Sequence, residues 1–377
     1  MLITTVHARG RIRAGLVAVL LVLLATPATG STAPPHAERR FEAMSYNIYL
    51  GADLGPLFTA PPGPDLVTAA AAVYNQMVQT NFPARAERIA REIAEAAPTV
   101  IGLQEVARWQ TAPLSNPGNL TTTYDFLGIL LGELEERGAH YEPVSGATNV
   151  NFGGALPIST TTLARFTDHD VILARSDLAT SELKLSNPTS HTFQAKLPLS
   201  IGGQQILVPR GWSSVDVKIR GKSYRFVNTH LEAFARAVRV PQAQELIAWM
   251  AGSPLPVVLA GDLNTLRGDA TDAYALFIAA GFVDGWVEAM PPAQHCVAPA
   301  ADPGDPGCTA GQRADLLNFP SELDHVVDYV MHDDDPYVDA VAGSGEIIGE
   351  EAADRTPSGL WPSDHAGLNL GVHIAEP

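Results

Sequence analysis

The chain has 377 residues, 46% of them hydrophobic and only 17% charged, with a formal charge of −17. Such a composition provides ample material for a large buried core and excludes a disordered or fibrous chain, while length alone permits one large α/β domain or two smaller ones. The acidic balance works against a broad polyanion-binding surface, although a short basic strip or a bound cation can still serve a polyanion locally.

The first 30 residues read as a secretory signal peptide. Arg9, Arg11 and Arg13 form a basic region, Ala14 to Ala25 is an unbroken small-apolar run, and small residues lead to a plausible cut near Gly30. The run is short for a membrane span, with an uncleaved anchor as the rival reading. Cleavage would take the formal charge from −17 to −20, because the segment holds three Arg and no acid. Residues 31–40 then read as a tether, and 41–377 as a single domain.

Ala43 to Leu50 reads as a strand and the Gly/Pro-rich Gly51 to Pro64 as a loop. Asp65 to Ala97 has helical composition broken at Pro83, giving two helices. In the second, Ala84 to Ala97, the arginines Arg85, Arg88 and Arg91 are set on a solvated face and Ile89 and Ile93 on an apolar one. Thr99 to Leu103 reads as a buried strand, Trp109 to Thr122 as a loop, and Tyr124 to Arg137 as an amphipathic helix. Tyr141 to Thr148 and Asp170 to Leu173 are expected strands around an irregular connection, Asn149 to Asp168. Ile206 to Pro209, Ser214 to Ile219 and Tyr224 to His230 are further strands, the last two joined by a tight turn at Gly221-Lys222. A helix over Gln242 to Met250, a strand over Pro256 to Ala260 and a helix over Ala270 to Ala280, stopped by Gly281, follow. A long irregular insertion, Pro291 to Pro320, precedes strands at Leu323 to Met331, within Val338 to Ile348, and at Leu368 to Ile374. Alternating strands and helices with hairpin-like pairs fit two packed mixed sheets with helices outside, an α/β (α+β) sandwich.

The two cysteines, Cys296 and Cys308, bracket a Pro/Gly/Ala-rich loop. In an exported chain such a pair is expected as a disulfide, stabilising by about 3 kcal/mol in the chain-entropy picture.

Six short segments end strand-like runs with polar groups: Ser45-Tyr46-Asn47, Gly102-Leu103-Gln104-Glu105, Asn228-Thr229-His230, Gly261-Asp262-Leu263-Asn264, Leu323-Asp324-His325 and Ser363-Asp364-His365. Glu, Asp, Asn and His are the groups that hydrolysis of a phosphate ester needs, to hold a hard cation, activate water and neutralise oxygen charge. Each segment alone is weak. Glu105 could cap a surface loop, Asp262 and Asn264 could build a turn, and a lone His is more often structural. In this order, from Met44 to His365, the set resembles the endonuclease/exonuclease/phosphatase superfamily. That superfamily includes pancreatic-type deoxyribonucleases, abasic-site endonucleases, bacterial sphingomyelinases and inositol-polyphosphate phosphatases.

The resemblance implies a four-layered sandwich with Glu105 as the main metal ligand, Asn47 beside it, and Asp364 holding a metal-bound water or a second metal position. The ion would be Mg²⁺, with Mn²⁺ or Ca²⁺ as substitutes. Asp262 and Asn264 would orient water and hold a phosphate oxygen. His365 would take the water's proton or stabilise phosphate charge, and His230 would act on the phosphate or leaving group. Asp324 is assigned to orient His365, because it leaves a longer strand before the turn at His332 to Pro336; Asp328, four residues on and on the same face, is the alternative. Arg210 is a candidate phosphate contact with a surface salt bridge as its rival, and Asp170 is expected to shape the substrate mouth. The expected protein is a secreted, monomeric Mg²⁺-dependent phosphodiesterase. Its substrate is left open between nucleic acid (with Arg236 and Arg239 as contacts), a lipid headgroup (Leu57 and Phe58, or Trp361) and a small or inositol phosphate. A binding protein that kept the scaffold but lost turnover is the alternative class.

Overall fold

The computed structural model of the protein describes residues 40–296 and 306–374, leaving aside the side chains of 145 and 147–152. The expected signal peptide, its cut near Gly30 and the tether before residue 40 lie outside the described residues. In chain order the elements are β1 (Arg40–Asn47), α1 (Gly55–Thr59), α2 (Pro64–Gln79), α3 (Phe82–Ala96), β2 (Val100–Gln104), β3 (Arg108–Pro113), β4 (Thr121–Asp125), α4 (Phe126–Glu136), β5 (Tyr141–Pro157), β6 (Thr162–Arg175), β7 (Leu183–Thr192), β8 (Leu197–Ile201), β9 (Gln204–Val208), β10 (Gly211–Ile219), β11 (Lys222–His230), α5 (Arg236–Met250), β12 (Val257–Asp262), α6 (Ala273–Ala279), β13 (Phe282–Asp284), α7 (Gly285–Ala289), β14 (Asp328–Asp333), β15 (Val338–Ala340), β16 (Glu346–Ile348) and β17 (Gly367–Ile374).

One sheet runs β15-β17-β1-β2-β6-β3-β4, with β16 on β17 and β5 on β6; the other runs β13-β14-β12-β11-β10-β7. Their facing surfaces enclose Ala43, Val100, Ile172, Val215, Phe226, Val258 and Leu368. The outer face of the first sheet packs Met44, Tyr46 and Leu103 against Val73 and Met77 of α2, Ile89 of α3 and Leu130 of α4. The outer face of the second packs Val227 and Leu259 against Leu246 of α5 and Phe277 of α6. Strand residues pointing alternately inward and outward are therefore apolar on both faces, and the result is the four-layered sandwich. Among the described residues no helix is long and apolar enough to cross a membrane.

Several local expectations are corrected. The stretch taken as irregular, Asn149 to Asp168, instead forms most of a long hairpin of β5 and β6, and the expected loop Trp109 to Thr122 contains β3. Glycine and polar residues hide the alternation there, and the strands are stabilised by partners distant in sequence. β7 reads Ser-Asn-Pro-Thr-Ser through its middle, which hides a strand from the sequence; it is an edge strand, where Pro188 is tolerated. Arg85, placed on a solvated face by its period, is fully buried. It donates to the carbonyls of Thr80 (2.9 Å), Ile48 and Pro362 (both 2.8 Å) and Tyr49 (3.0 Å). Burial pulls its guanidinium down to about 10. One cation thereby ties the chain leaving β1 to the loop that carries Asp364.

Cys296 and Cys308 are joined in a disulfide with Cα atoms 4.9 Å apart, and both pack into the core outside the second sheet.

Candidate active site

Register brings the six segments together. Parallel pairing of β1 with β2 sets Asn47 beside Gln104, one residue before Glu105, and parallel pairing of β11 with β12 sets His230 beside Asp262. Antiparallel pairing of β12 with β14 places Asp328 opposite Asp262. The loop entering β17 carries Asp364 and His365. Two close approaches lock the sheets beneath this cluster. A Cβ on Gly102 would sit 2.6 Å from Asn228 Oδ1, and one on Gly261 would sit 2.3 Å from the Thr229 carbonyl oxygen. The room left by Gly102 lets Asn228 reach between sheets. It accepts from Gln104 Nε2 at 2.7 Å and donates to the Leu103 and Val171 carbonyls at 3.0 and 3.3 Å. A buried amide with donors and acceptors satisfied is a rigid strut.

Asp262 is the hub. Its Oδ2 accepts from Asn47 Nδ2 at 3.0 Å and lies 3.5 Å from His230 Nε2 and 3.9 Å from His365 Nε2. Its Oδ1 accepts from the Asn264 backbone N–H at 2.9 Å. Burial first, and Asp328 second, push the Asp262 carboxyl up to about 6. Asn264 is not on an extended run with Asp262: its φ is +49°, and its Nδ2 donates to the Leu231 carbonyl at 3.0 Å. The Gly-Asp-Leu-Asn segment is thus a turn that grips Asp262, a conformation that Asn tolerates.

His365 and His230 flank this hub. Nδ1–H of His365 donates to Asp328 Oδ2 at 2.9 Å. Burial opposes its charge, but Asp328, Asp364 and Asp262 prevail and hold its pKa well above the ordinary value. His230 is the opposite case. Burial, followed by the Arg210 guanidinium, holds its pKa well below the ordinary value. Arg210 Nη1 lies 3.0 Å from His230 Nδ1 and can only donate, so the proton of the neutral ring is on Nε2, toward Asp262.

Asp324 does not reach His365. Its carboxylate is about half exposed and pairs with His325. The reason is that Thr309 and Ala310 draw Asp324 and His325 into their own backbone pairing, with Thr309 N–H on the His325 carbonyl at 2.8 Å and Asp324 N–H on the Ala310 carbonyl at 3.0 Å. The strand starts only at Asp328, which is fully buried.

Arg210 is committed to His230 and, at 3.6 Å, to Asp168. Asp170 is not at a mouth: it is fully buried, with its Oδ1 3.9 Å from His230 Nδ1. Asp168 carried no motif of its own; Asp168-His169-Asp170 in a strand does put both acids on one side, and that alternation is the signal available in the chain. Arg239 is buried in a bidentate pair with Asp272 (2.5 and 3.1 Å), so of the two proposed nucleic-acid contacts only Arg236 is exposed. Trp361 is core, with its Nε1 donating to the Asn318 carbonyl at 2.8 Å.

Glu105 leaves β2 with φ +57°, and its Oε2 accepts the Leu50 N–H at 2.8 Å. Burial and then the neighbouring Asp364 raise its pKa, and burial raises that of Asp364 as well. Glu105 and Asp364 are partly exposed, Asp364 acts electrostatically on Glu105, and Asp262 acts on Asp364; two such carboxylates are a donor pair suited to a hard divalent cation. A second group, Asp262, Asp328 and His365, has ligand atoms all within 4.8 Å of one another. That group is less suited to Mg²⁺, because His365 Nδ1 is taken by Asp328 Oδ2 and Asp262 accepts two hydrogen bonds, which leaves Asp328 Oδ1 as its one buried oxygen without a hydrogen bond. Asn47 also accepts the Tyr49 N–H on Oδ1 at 3.0 Å, so its amide mainly positions Asp262 and retains one lone pair.

A family model described as the endonuclease/exonuclease/phosphatase family matches residues 44–365. Among solved structures the chain is similar to a mannosyl-6-phosphatase of Bacteroides thetaiotaomicron VPI-5482, with a TM-score of 0.51 and 16% identity over 88% of this chain and 99% of that one. It is also similar to an endonuclease/exonuclease/phosphatase of Beutenbergia cavernae DSM 12333, with a TM-score of 0.51 and 22% identity over 89% and 72%. A family protein of Leptotrichia buccalis C-1013-b gives 0.51 and 16% over 88% and 98%. At these identities the likeness is one of fold. No curated protein matches the chain.

Proposed function

The chain is a phosphoester hydrolase of the endonuclease/exonuclease/phosphatase family, and we propose that it is an exported, Mg²⁺-dependent phosphodiesterase in which water attacks phosphorus in line with the leaving oxygen. The observation that carries this reading is the placement of Asp262 between two imidazoles, 3.5 Å from His230 Nε2 and 3.9 Å from His365 Nε2, whose pKa values their neighbours push in opposite directions.

Water activation falls to Asp262 rather than to His365, which the family resemblance offers for it. A base needs a free lone pair and a pKa near working pH. Asp262, pushed up to about 6, meets that requirement, whereas His365 is kept protonated by its acidic neighbours. Asp262 accepts the proton of the attacking water. The His365 imidazolium, oriented by Asp328, offers its Nε2–H to a phosphate oxygen as negative charge grows there. Neutral His230 offers its Nε2–H to a second oxygen, with Arg210 fixing its tautomer. Asn47 and the Asn264 N–H hold Asp262 in place. Glu105 and Asp364 are the residues that would hold Mg²⁺, and the ion would supply charge neutralisation at the phosphate.

Export is supported by the basic-then-apolar pattern of residues 1–30 and by the disulfide, a bond that persists in oxidising compartments. The test is hydrolysis of bis(p-nitrophenyl) phosphate by the mature chain, with supercoiled plasmid in parallel. Chelator should abolish turnover and Mg²⁺ restore it. Folded protein that cleaves no phosphodiester with any divalent ion would overturn the proposal and return the chain to the binding-protein alternative.

A further inference from the structure

A cleft of about 400 Å³ opens beside the catalytic centre, within the ~300–1,000 Å³ range of small-ligand pockets. Its wall is apolar almost throughout, formed by Leu57 and Val73 on one side, Trp109 and Phe166 on another, and Ile201 and Ile206 of the β8–β9 ribbon on a third. Gln204 contributes the one polar side chain among the described residues that line it. The cleft adjoins a second cavity on the side of the active site. Leu54 and Phe166 line both the cleft and that narrower cavity of about 40 Å³, which also touches Asp168, Arg210 and Leu50. Arg210 bonds His230, and the Leu50 N–H bonds Glu105, so one residue separates the narrow cavity from each of these two groups. Two large apolar side chains stand exposed along this path, Leu207 at 63% and Phe234 at 68%, with Phe58 edge-on to Phe234 at 5.7 Å.

Among the described residues that line the cleft none carries a charge, and Gln204 offers its one amide for a hydrogen bond. What it can do is remove hydrocarbon from water. We propose that the substrate is an amphiphilic phosphodiester whose phosphate sits at Asp262, His230 and His365 while a single hydrocarbon chain lies along the narrow cavity into this cleft. The inference rests on the phosphodiesterase reading for the position of the phosphate and adds the chemical class of the group esterified to it. A nucleic acid would leave the cleft empty.

Gly154 offers a way to close it. It lines the cleft, and a Cβ built on it meets no atom within 4 Å, so a large side chain there enters open space without displacing backbone. The experiment measures binding of dimethyl, hexyl methyl and decyl methyl phosphate to the mature chain in Mg²⁺ by calorimetry, each ester below its aggregation concentration. Burial of each methylene is worth up to about fourfold in affinity, and the decyl ester should bind at least tenfold tighter than the dimethyl ester. In Gly154→Phe that ratio should fall toward one. Ile206→Asp, which places a charge on another wall, should do the same and covers the case in which the first variant folds poorly. Equal affinities for the three esters in the wild type would overturn the inference, even if bis(p-nitrophenyl) phosphate is hydrolysed. A decyl preference that survives in both folded variants would also overturn it, because the chain would then bind elsewhere. A decyl preference without turnover of any diester would remove the phosphodiesterase reading and leave the cleft assignment standing.

Discussion

His230 and His365 sit on either side of one carboxylate, the first fully buried and the second 14% exposed, yet their pKa values are pushed in opposite directions. Burial alone would drive both toward neutrality. At His365 three acids outweigh burial, and one of them, Asp328, holds Nδ1–H. At His230 the nearest titratable partner is a guanidinium, which adds to the effect of burial and occupies Nδ1. The comparison teaches that the partner on the far side of each ring, rather than the ring or its depth, decides its chemistry. In the proposed reaction one imidazole serves as a cation for a phosphate oxygen and the other as a neutral donor.

Removing the cation should have the largest effect. His365→Ala is expected to lower kcat by about 10²–10⁴-fold, with the melting transition still cooperative; near wild-type kcat in folded protein would refute the role given to it. Asp328→Asn leaves the ring but weakens its orientation and charge. It is expected to cost about 10–100-fold in kcat and to lower the His365 pKa followed by ring-proton NMR. Arg210→Gln attacks the opposite side. Losing the guanidinium beside Asp168 and Asp170 should raise the His230 pKa in the same NMR titration and reduce kcat/KM by about tenfold, ~1.4 kcal/mol of transition-state stabilisation. An unmoved His230 titration would break the proposed contrast.

A stability measurement sharpens it further. Glu105, Asp262 and Asp364 all have raised pKa values in the folded chain, Asp262 to about 6. Between about pH 4 and 6 the native state therefore keeps protons that the unfolded chain has lost, and stability falls as pH rises. The raised pKa of His365 stabilises the fold below the unfolded value and is lost only as pH climbs through the folded one, whereas His230, held neutral in the fold, works the other way and offsets about one of the three carboxyl protons, so the net fall is set by the acids in excess of that one ring. In chelator the melting temperature should drop from pH 4 to 6, and Asp262→Asn should flatten the slope; a rise over that window in chelator contradicts the assignment. The smallest effect is expected from Asp324→Asn. Asp324 is half exposed and its partner is His325, so kcat should stay within about twofold and stability within about 0.5 kcal/mol. A loss matching that of Asp328→Asn would restore the residue preferred from sequence.

Much of the frame was legible in the chain. Val100-Ile101-Gly102-Leu103 and Val257-Val258-Leu259-Ala260 announce buried strands because they are continuous apolar runs, and the polar residues that end them must face something other than core. The disulfide was legible from two cysteines flanking a short loop. Local pattern misled where long-range partners decide the outcome. Arg85 has the period of an exposed face, but four backbone carbonyls from segments far apart make its burial favourable.

The list of chemical groups is thus a property of the sequence: Asn47, Glu105, His230, Asp262, Asp364 and His365 end strands or enter them, and residue type alone limits what each can do. Their pairing is a property of the tertiary structure. Whether Asp324 or Asp328 meets His365 depends on where Ala310 docks, and whether a histidine is charged depends on whether an acid or Arg210 lies behind it. The apolar cleft likewise exists only once the β8–β9 ribbon closes over Leu57, Trp109 and Phe166. Electrostatic and hydrophobic environment act through distances of a few ångströms, and here those distances are between residues separated by tens to hundreds of positions along the chain.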